Sequence, residues 1–333
     1  MDLVNLTPFA ADRHLFLDGR GREQLLVVVK ATWSIAGESP RVAEDQLAVS
    51  VADEYRGEPG VSSLLGACDL VPGKPGTDVL IEGFAYGSPP GRTEALVAIQ
   101  VGTLRKGFRV VGDRVGTAFG ASAPRSFEKM EITWERAFGG TDTSVPGKVD
   151  LFEENPVGVG FRTRGSKLPS SAPLPNLEAI DAPARTIGGR IPSVGVGPVA
   201  PHWKSRTRHA GTYDARWRKE RFPFLPLDFD PRYYQVAPPD QVLAGHLKGG
   251  ERVRIAGMTP DAPITFSVPV LAPQVMVEIG DDEEAAPVGQ CDTVLVDTDR
   301  KEVTLTWRTM VDVHGRVPRV RSIRVEAGAS HVG

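Results

Sequence analysis

The chain has little of what marks the better-known functional classes. It carries two cysteines, Cys68 and Cys291, among 333 residues. That number excludes a disulfide framework, and two reduced, buried thiols are the expected state. Charge of one sign is not in excess. The 39 Lys and Arg face 42 Asp and Glu, for a formal charge of −3. A general nucleic-acid binder usually needs a basic surplus, so no nucleic-acid partner is expected. No apolar run approaches the roughly 20 residues that a membrane helix requires, so no membrane insertion is expected. The opening MDLVNLTPFAADRH has neither a basic n-region nor an apolar h-region. It predicts no signal peptide, and hence a cytoplasmic protein.

Catalytic and cofactor signatures are equally scarce. GxSxG, HExxH, CxxC and GxxxxGK[ST] do not occur. Gly158, Gly160 and Gly165, or Gly195 and Gly197, look superficially like a phosphate loop. Pro156 and Pro198 stand where the following helix would begin or run, so no nucleotide site is expected. The six histidines include His202 and His209, seven apart and with no cysteine near. Zinc is therefore unsupported. Asp228 and Asp230 in LDFDP form the one tight acidic pair of the middle segment, too few for a hard-cation cage. No cofactor, metal or catalytic residue is assigned.

What is abundant is glycine and proline. With 36 Gly and 28 Pro they make up about 19% of the chain, against an average near 12%. Apolar residues, at 41%, suffice for one large core or two smaller ones. β-Branched and alternating segments occur at Leu25–Ile35, Val79–Tyr86, Leu96–Val101, Phe108–Val115 and Met130–Glu135. They return at Arg252–Ala256, Ile264–Val270 and Val275–Ile279. The clearest hairpin is Thr293–Asp297 with Glu302–Trp307, turning at Thr298–Lys301. Trp134 and Trp307 are expected to face the core. The acidic run Asp281–Glu284 reads as a solvated loop.

Residues 136–250 keep no sustained period, yet they hold eleven aromatics from Phe138 to Tyr234. Disordered segments are poor in aromatics. This stretch reads as an ordered irregular layer anchored by those rings. Two short helices are expected, at Asp214–Lys219 and Asp240–Leu247. The predicted architecture is mainly β: an antiparallel sandwich or barrel-like core, a long Gly/Pro/aromatic layer and a few short helices. One domain over 1–333 is expected, with N-terminal strands about 14–135, the layer about 136–250 and C-terminal strands about 251–326.

Lys204–Arg221 is the most basic and aromatic stretch, with seven Lys or Arg among Trp203, Tyr213 and Trp217. It has two readings. Arg and Trp dominate interface hot spots. They also stack and pair internally, which suits an irregular layer with many backbone groups to satisfy. The internal reading is preferred.

The ordered motifs resemble a bacterial family. They are CDLVPGKPGTDVLIEGFAY from Cys68, WERAFGGTD from Trp134, ENPVGVGF from Glu154, PLPNLE from Pro173, GVGPVAPHWKSR from Gly195, AGTYDARWRKERFPFLPLDFDPRYYQVAPPDQ from Ala210 and LKGGERVRI from Leu247. The series is similar to domain-of-unknown-function family 2169 and covers roughly Leu25–Trp307. The resemblance implies a stand-alone, non-enzymatic adaptor or chaperone of a type VI secretion system. Such a protein binds a toxic effector and helps load it onto the VgrG or PAAR spike. Other members carry pentapeptide repeats after this domain. The family's motif residues fall at Asp69, Lys74, Asp78, Trp134, Arg136, Asn155, Trp203, Arg206, Tyr213, Asp214, Trp217, Asp228 and Gln241. They are the candidate partner-binding residues, unless they are architectural. Two other readings stay open: a carbohydrate- or small-ligand-binding β-sandwich, and a hydrolase using Asp228, Asp230 or another buried carboxylate.

Overall fold

The longest β-branched run, around Leu25–Val29, becomes the middle of a twelve-residue strand, Glu23–Ser34. This strand is the spine of a seven-stranded sheet in a computed structural model that describes residues 1–87, 91–117, 119–163, 171–185 and 190–328. Glu302–Asp312 pairs along its whole length and Ala10–Leu17 along its first half. Next to Glu302–Asp312 come Gln290–Asp297, then Gly76–Glu82, then Val242–Ala244. Arg41–Val42 adds a short ladder at the far end of the spine. All of these pairings are antiparallel except Gln290–Asp297 with Gly76–Glu82.

A second, fully antiparallel sheet has the order Leu177–Ala179, Leu104–Val111, Glu94–Val101, Arg252–Ala256, Ile264–Ser267. A third holds Asp2–Asn5, Val320–Glu326, Gln274–Ile279 and Asp282–Ala285. Inward residues of all three sheets meet in one apolar cluster. Val27, Val29 and Leu305 join Val97, Ile99 and Ile255 there, with Val277 and Ile323. The architecture is mainly β, built from stacked sheets, and none of those described closes into a barrel.

Several elements differ from the sequence expectation, each for a local reason. Val79–Tyr86 is two strands, because Gly83 (φ +131°) breaks the run where Thr298 Oγ1 lies 2.1 Å from a notional Cβ. Met130–Glu135 keeps only Lys129–Glu131 as strand, and Trp134–Arg136 turns as a 3-10 helix. Trp134 is nevertheless buried, as is Trp307. The strand expected at Phe108–Val115 instead runs Leu104–Val111. Asp240–Leu247 is not a helix. Pro239–Gln241 makes one 3-10 turn, and Val242–Ala244 joins the seven-stranded sheet beside Gly76–Asp78. A helix this short gains little against its nucleation cost, so the free sheet edge wins. The acidic run is an exposed edge strand, Asp282–Ala285, whose charges discourage further pairing. The helix expected at Asp214–Lys219 is present as Ala215–Glu220, capped by the Asp214 carboxylate.

The middle layer is ordered mainly through its rings. Phe152 lies between Phe138 and Phe161, and Phe229 between Tyr233 and Tyr234, at centroid distances of 5.1–5.7 Å.

Candidate functional site

The inner face of the seven-stranded sheet is apolar; its outer face is polar and is also covered. Hairpin alternation suggests solvent on that outer face, yet Thr304, Thr306 and Arg308 are buried there. The cover is the 43–69 segment. Gln46 clips it down, accepting from the Thr32 amide (2.8 Å) and donating to the Thr32 carbonyl (3.0 Å). At its contact with the sheet lie three cations and three anions, all at most 7% exposed: Lys30, Lys74, Arg308, Asp78 and Asp292, with Asp69 from the end of the cover itself.

The network balances charge for charge. Lys30 donates to Asp69 (2.8 Å), and Lys74 donates to Asp78 (2.7 Å) and to the Thr293 hydroxyl (2.8 Å). Arg308 pairs with Asp292 and donates from Nε to the Asp69 carbonyl (2.9 Å). Asp78 also accepts from the Val236 amide (2.8 Å), which ties the irregular layer to the sheet. A register shift between Cys291 and Thr293 places consecutive residues Asp292 and Thr293 within hydrogen-bond reach, 3.0 Å apart. Buried charges at this depth persist only when paired and hydrogen-bonded.

Three motif residues, Asp69, Lys74 and Asp78, therefore converge. Their partners Lys30, Asp292 and Arg308 were not singled out from the sequence. The signal was a lone charge inside an apolar β-run: Lys30 in LLVVVKATW, Asp292 in QCDTVLVD, Arg308 in TLTWRTM.

Above this floor is a cavity of about 670 Å³. Its sheet side is drawn from three cross-strand rows, of which Asp78, Thr32 and Ser34 do not themselves line it. The first is Lys30, Thr306, Thr293 and Asp78. The second is Thr32, Thr304, Leu295 and Leu80, and the third is Ser34, Glu302, Asp297 and Glu82. Leu47, Leu65, Ala67, Pro198 and Val236 contribute to the other walls. Burial, and then the neighbouring Asp297 charge, push the Glu82 carboxyl above its ordinary range.

A second group of motif residues staples the irregular layer. Trp134 stands edge-on to Trp203 (5.2 Å, 85°) and donates to the carbonyls of Gly197 and Pro198. Gly195 lies so close that a Cβ would meet the Trp134 ring at 2.6 Å. Asn155 Nδ2 donates to the Trp134 and Phe138 carbonyls, and Gln241 Nε2 to those of Val79 and Val196. Arg206 donates to the carbonyls of Tyr233 and Val199 and stacks on the Tyr233 ring. Arg136, half-exposed, reaches Asn176 (3.3 Å) and Asp113 (3.6 Å). Gly158 and Gly160 serve close backbone packing, with Gly160 in a short ladder beside Gly139; Gly165 lies outside the described residues.

The remaining motif residues build a projection, residues 211–228. Asp214 caps its helix through the Trp217 amide (2.8 Å). Trp217 donates its indole N–H to the Phe224 carbonyl (2.8 Å), with Tyr213 and Phe222 edge-on to its ring. Asp228 closes the base by accepting from the Thr212 amide and hydroxyl. Phe224 seats against Gly21, whose φ of +76° forms the receiving turn. The outer surface stays uncovered: Tyr213, Phe222 and Leu227 are 51%, 67% and 81% exposed, and Arg216, Arg218 and Lys219 are exposed beside them. The basic–aromatic stretch thus divides. Arg206 is internal, as preferred from sequence, whereas the cations of the Ala215–Glu220 helix are external.

Asp228 and Asp230 are held below the usual carboxylate range, Asp228 by its Thr212 hydrogen bonds and Asp230, down to about 2, by Arg232. Cys291 is buried, and burial pushes its thiol far up; Cys68, expected buried, is half-buried and also raised. Among the described residues no cluster of three or more His, Cys, Asp or Glu is arranged to hold a metal ion. No helix described is long and apolar enough to cross a membrane.

Compared with curated proteins and with solved structures, the chain finds no match. Compared with protein families, it matches over residues 20–308 one described as "Uncharacterized protein conserved in bacteria" (DUF2169). That span contains the buried charge network, the ring-stapled layer and the projection, and the chain belongs to this family.

Proposed function

We propose that this protein is a non-enzymatic binding protein, an adaptor or chaperone that holds a type VI secretion effector and helps bring it to the VgrG or PAAR spike. The observation that carries the reading is the projection at 211–228. Its interior is fully committed: a capped helix, a hydrogen-bonded indole, a closed base. Its outer surface presents three exposed apolar side chains with Arg216, Arg218 and Lys219 beside them. A rigid apolar patch with a basic rim has the composition of an interface centre. Its complement is an apolar patch with an acidic rim on the effector. The pairing of the buried charges with one another supports the same reading, because it leaves the network with an architectural task.

The carbohydrate reading asked for an aromatic platform. Most aromatic residues of the layer pack on one another, only Tyr213 and Phe222 of those described being largely exposed, and the described lining of the cavity contains no aromatic side chain. The hydrolase reading named Asp228 and Asp230 first, and both are engaged, by Thr212 and Arg232.

The test is co-purification with the product of the neighbouring effector gene, with and without the spike protein. A binary complex is expected, and Phe222→Asp or Leu227→Asp should abolish it while leaving the melting temperature unchanged. Absence of a complex with any neighbouring effector or spike protein, together with unchanged effector secretion on deletion, would sink the adaptor reading.

A further inference from the structure

The third row of the cavity floor sets three carboxylates side by side on adjacent strands. Glu302 faces Asp297, and Asp297 faces Glu82. Neighbouring strands lie about 4.8 Å apart, and like charges directly opposite destabilise a sheet. Asp297 is satisfied by the amides of Asp299 and Arg300, with the Arg300 guanidinium at 3.7 Å. Glu82 and Glu302 have no side-chain hydrogen bond or ion pair among the described residues, and both line the cavity. The buried hexad at the other end is internally neutral and pairs none of its cations with this row.

A second observation is independent of the acids. Thr306 is 2% exposed, lines the same cavity, and its hydroxyl has no hydrogen-bond partner among the described residues. Beside it in the register stands Lys30, whose ammonium uses one of its three N–H donors, on Asp69. A hydroxyl that makes no bond within the protein and opens on a cavity is free to bond with whatever occupies that cavity. Between the two polar ends lies an apolar step, Leu80 and Leu295. The floor thus reads acid, then aliphatic, then hydrogen-bond donor, with about 13 Å between the outer rows.

We propose that this cavity binds an alkylammonium group. Its charged head sits on the Glu82–Asp297–Glu302 row, its methylene chain lies along Leu80 and Leu295, and a further polar group accepts from Thr306 and Lys30. The volume lies within the range of small-molecule sites. Ammonium to carboxylate is a charge-assisted pairing, strong in a partly dry site. Two sources share this chemistry: a free ω-amino acid, whose carboxylate would accept, and a lysine side chain of a protein segment, whose backbone carbonyl would supply the acceptor. The proposal is independent of the adaptor reading, which concerns the projection and not the cavity.

Isothermal titration of the full chain tests it, with 5-aminopentanoate and acetyl-Gly-Lys-Gly-amide as probes and acetyl-Gly-Leu-Gly-amide as the neutral control. One-to-one binding of at least one probe is expected, weakened about tenfold or more by Glu302→Gln or Glu82→Gln. Thr306→Val should weaken it less. The unliganded Gln variants should melt no lower than the wild type, because each relieves a like-charge contact, so lost binding is not lost folding. Binding of 5-aminopentanoate alone identifies a free ω-amino acid as the source, and binding of the lysine peptide alone a protein segment. No binding of either probe at ~1 mM would overturn the proposal. So would equal binding of the leucine control, or undiminished binding in both Gln variants.

Discussion

Replacing Arg308 with Met tests whether the charge network holds the fold together as a unit. Arg308 is 3% exposed and meets Asp292, itself fully buried, as well as both the carbonyl and the carboxylate of Asp69. Met approximates the aliphatic stem, so little volume is lost. What changes is Asp292. It keeps the Thr293 hydroxyl (3.0 Å) and the Lys74 amide (3.3 Å) but loses the cation paired with it. Orphaning one member of a buried pair costs about 3–5 kcal/mol. A chain of 333 residues has an unfolding entropy of about 0.7 kcal/mol/K, so the melting temperature should fall by about 4–7 °C. The assay is thermal unfolding followed by circular dichroism, with denaturant melts for the free energy. The decisive comparison is the double variant Arg308→Met/Asp292→Asn. It removes both charges, and should recover more than half of the loss even though it deletes more native hydrogen bonds. If Arg308→Met costs under 1 kcal/mol, the pair is not buried as described. If the double variant is as unstable as the single one, the loss is packing and the electrostatic argument fails.

Trp134→Ala and Trp307→Ala should each cost about 3–5 kcal/mol in denaturant melts, since both rings are buried; a loss under 1 kcal/mol would refute the packing. Gly257→Ala should destabilise by more than about 1 kcal/mol, because φ is +81° and the new Cβ would lie 2.0 Å from the Leu96 carbonyl oxygen. Thiol labelling at neutral pH should reach Cys68 slowly and Cys291 only on unfolding, burial having raised both; rapid labelling of Cys291 in the folded protein would contradict its placement. Glu82 has a folded pKa above its ordinary 4.5, so its contribution to stability is complete below that value and is lost as pH rises through the raised one. Glu82→Gln should remove this decline, and an unchanged stability profile between acid and neutral pH would count against the crowded carboxylate row.

How much of this could be read from the residues follows from which forces are local. The strands were legible where β-branched runs and alternation are both present, as at Leu25–Ile35 and in the hairpin ending at Trp307. They were misread where a single backbone contact decides, as at Gly83, or where a sheet edge captures a segment with helical composition, as at Val242–Ala244. The site divides along the same line. Asp214 is an N-cap by local chemistry, and its helix was expected. Lys74 and Asp78, four residues apart, pair across a loop-to-strand junction that no periodicity describes.

Lys30, Asp292 and Arg308 lie 39 to 239 residues from the motif partners they meet. Nothing local says which anion meets which cation. The constraint comes from the cover. A strand charge flanked by core-forming residues points to the outer face, as exposed Arg254 does between Val253 and Ile255, and where that face is covered it requires an opposite partner at equal depth. Three such charges lie on the covered face of the seven-stranded sheet: Lys30, Asp292 and Arg308. They sum to one net positive charge, so at least one more buried anion was required. The motif residues supply Lys74 with Asp69 and Asp78, which brings the sum to zero. The same accounting distinguishes the third cavity row. Glu82, Asp297 and Glu302 stand at strand ends next to turns, where a charge is ordinarily solvated and so raises no question in the sequence. It is the fold that gathers them under the 43–69 cover, with no cation paired to Glu82 or Glu302 among the described residues. An imbalance that forms only on folding points to something bound there, whereas one visible in the sequence points to the architecture.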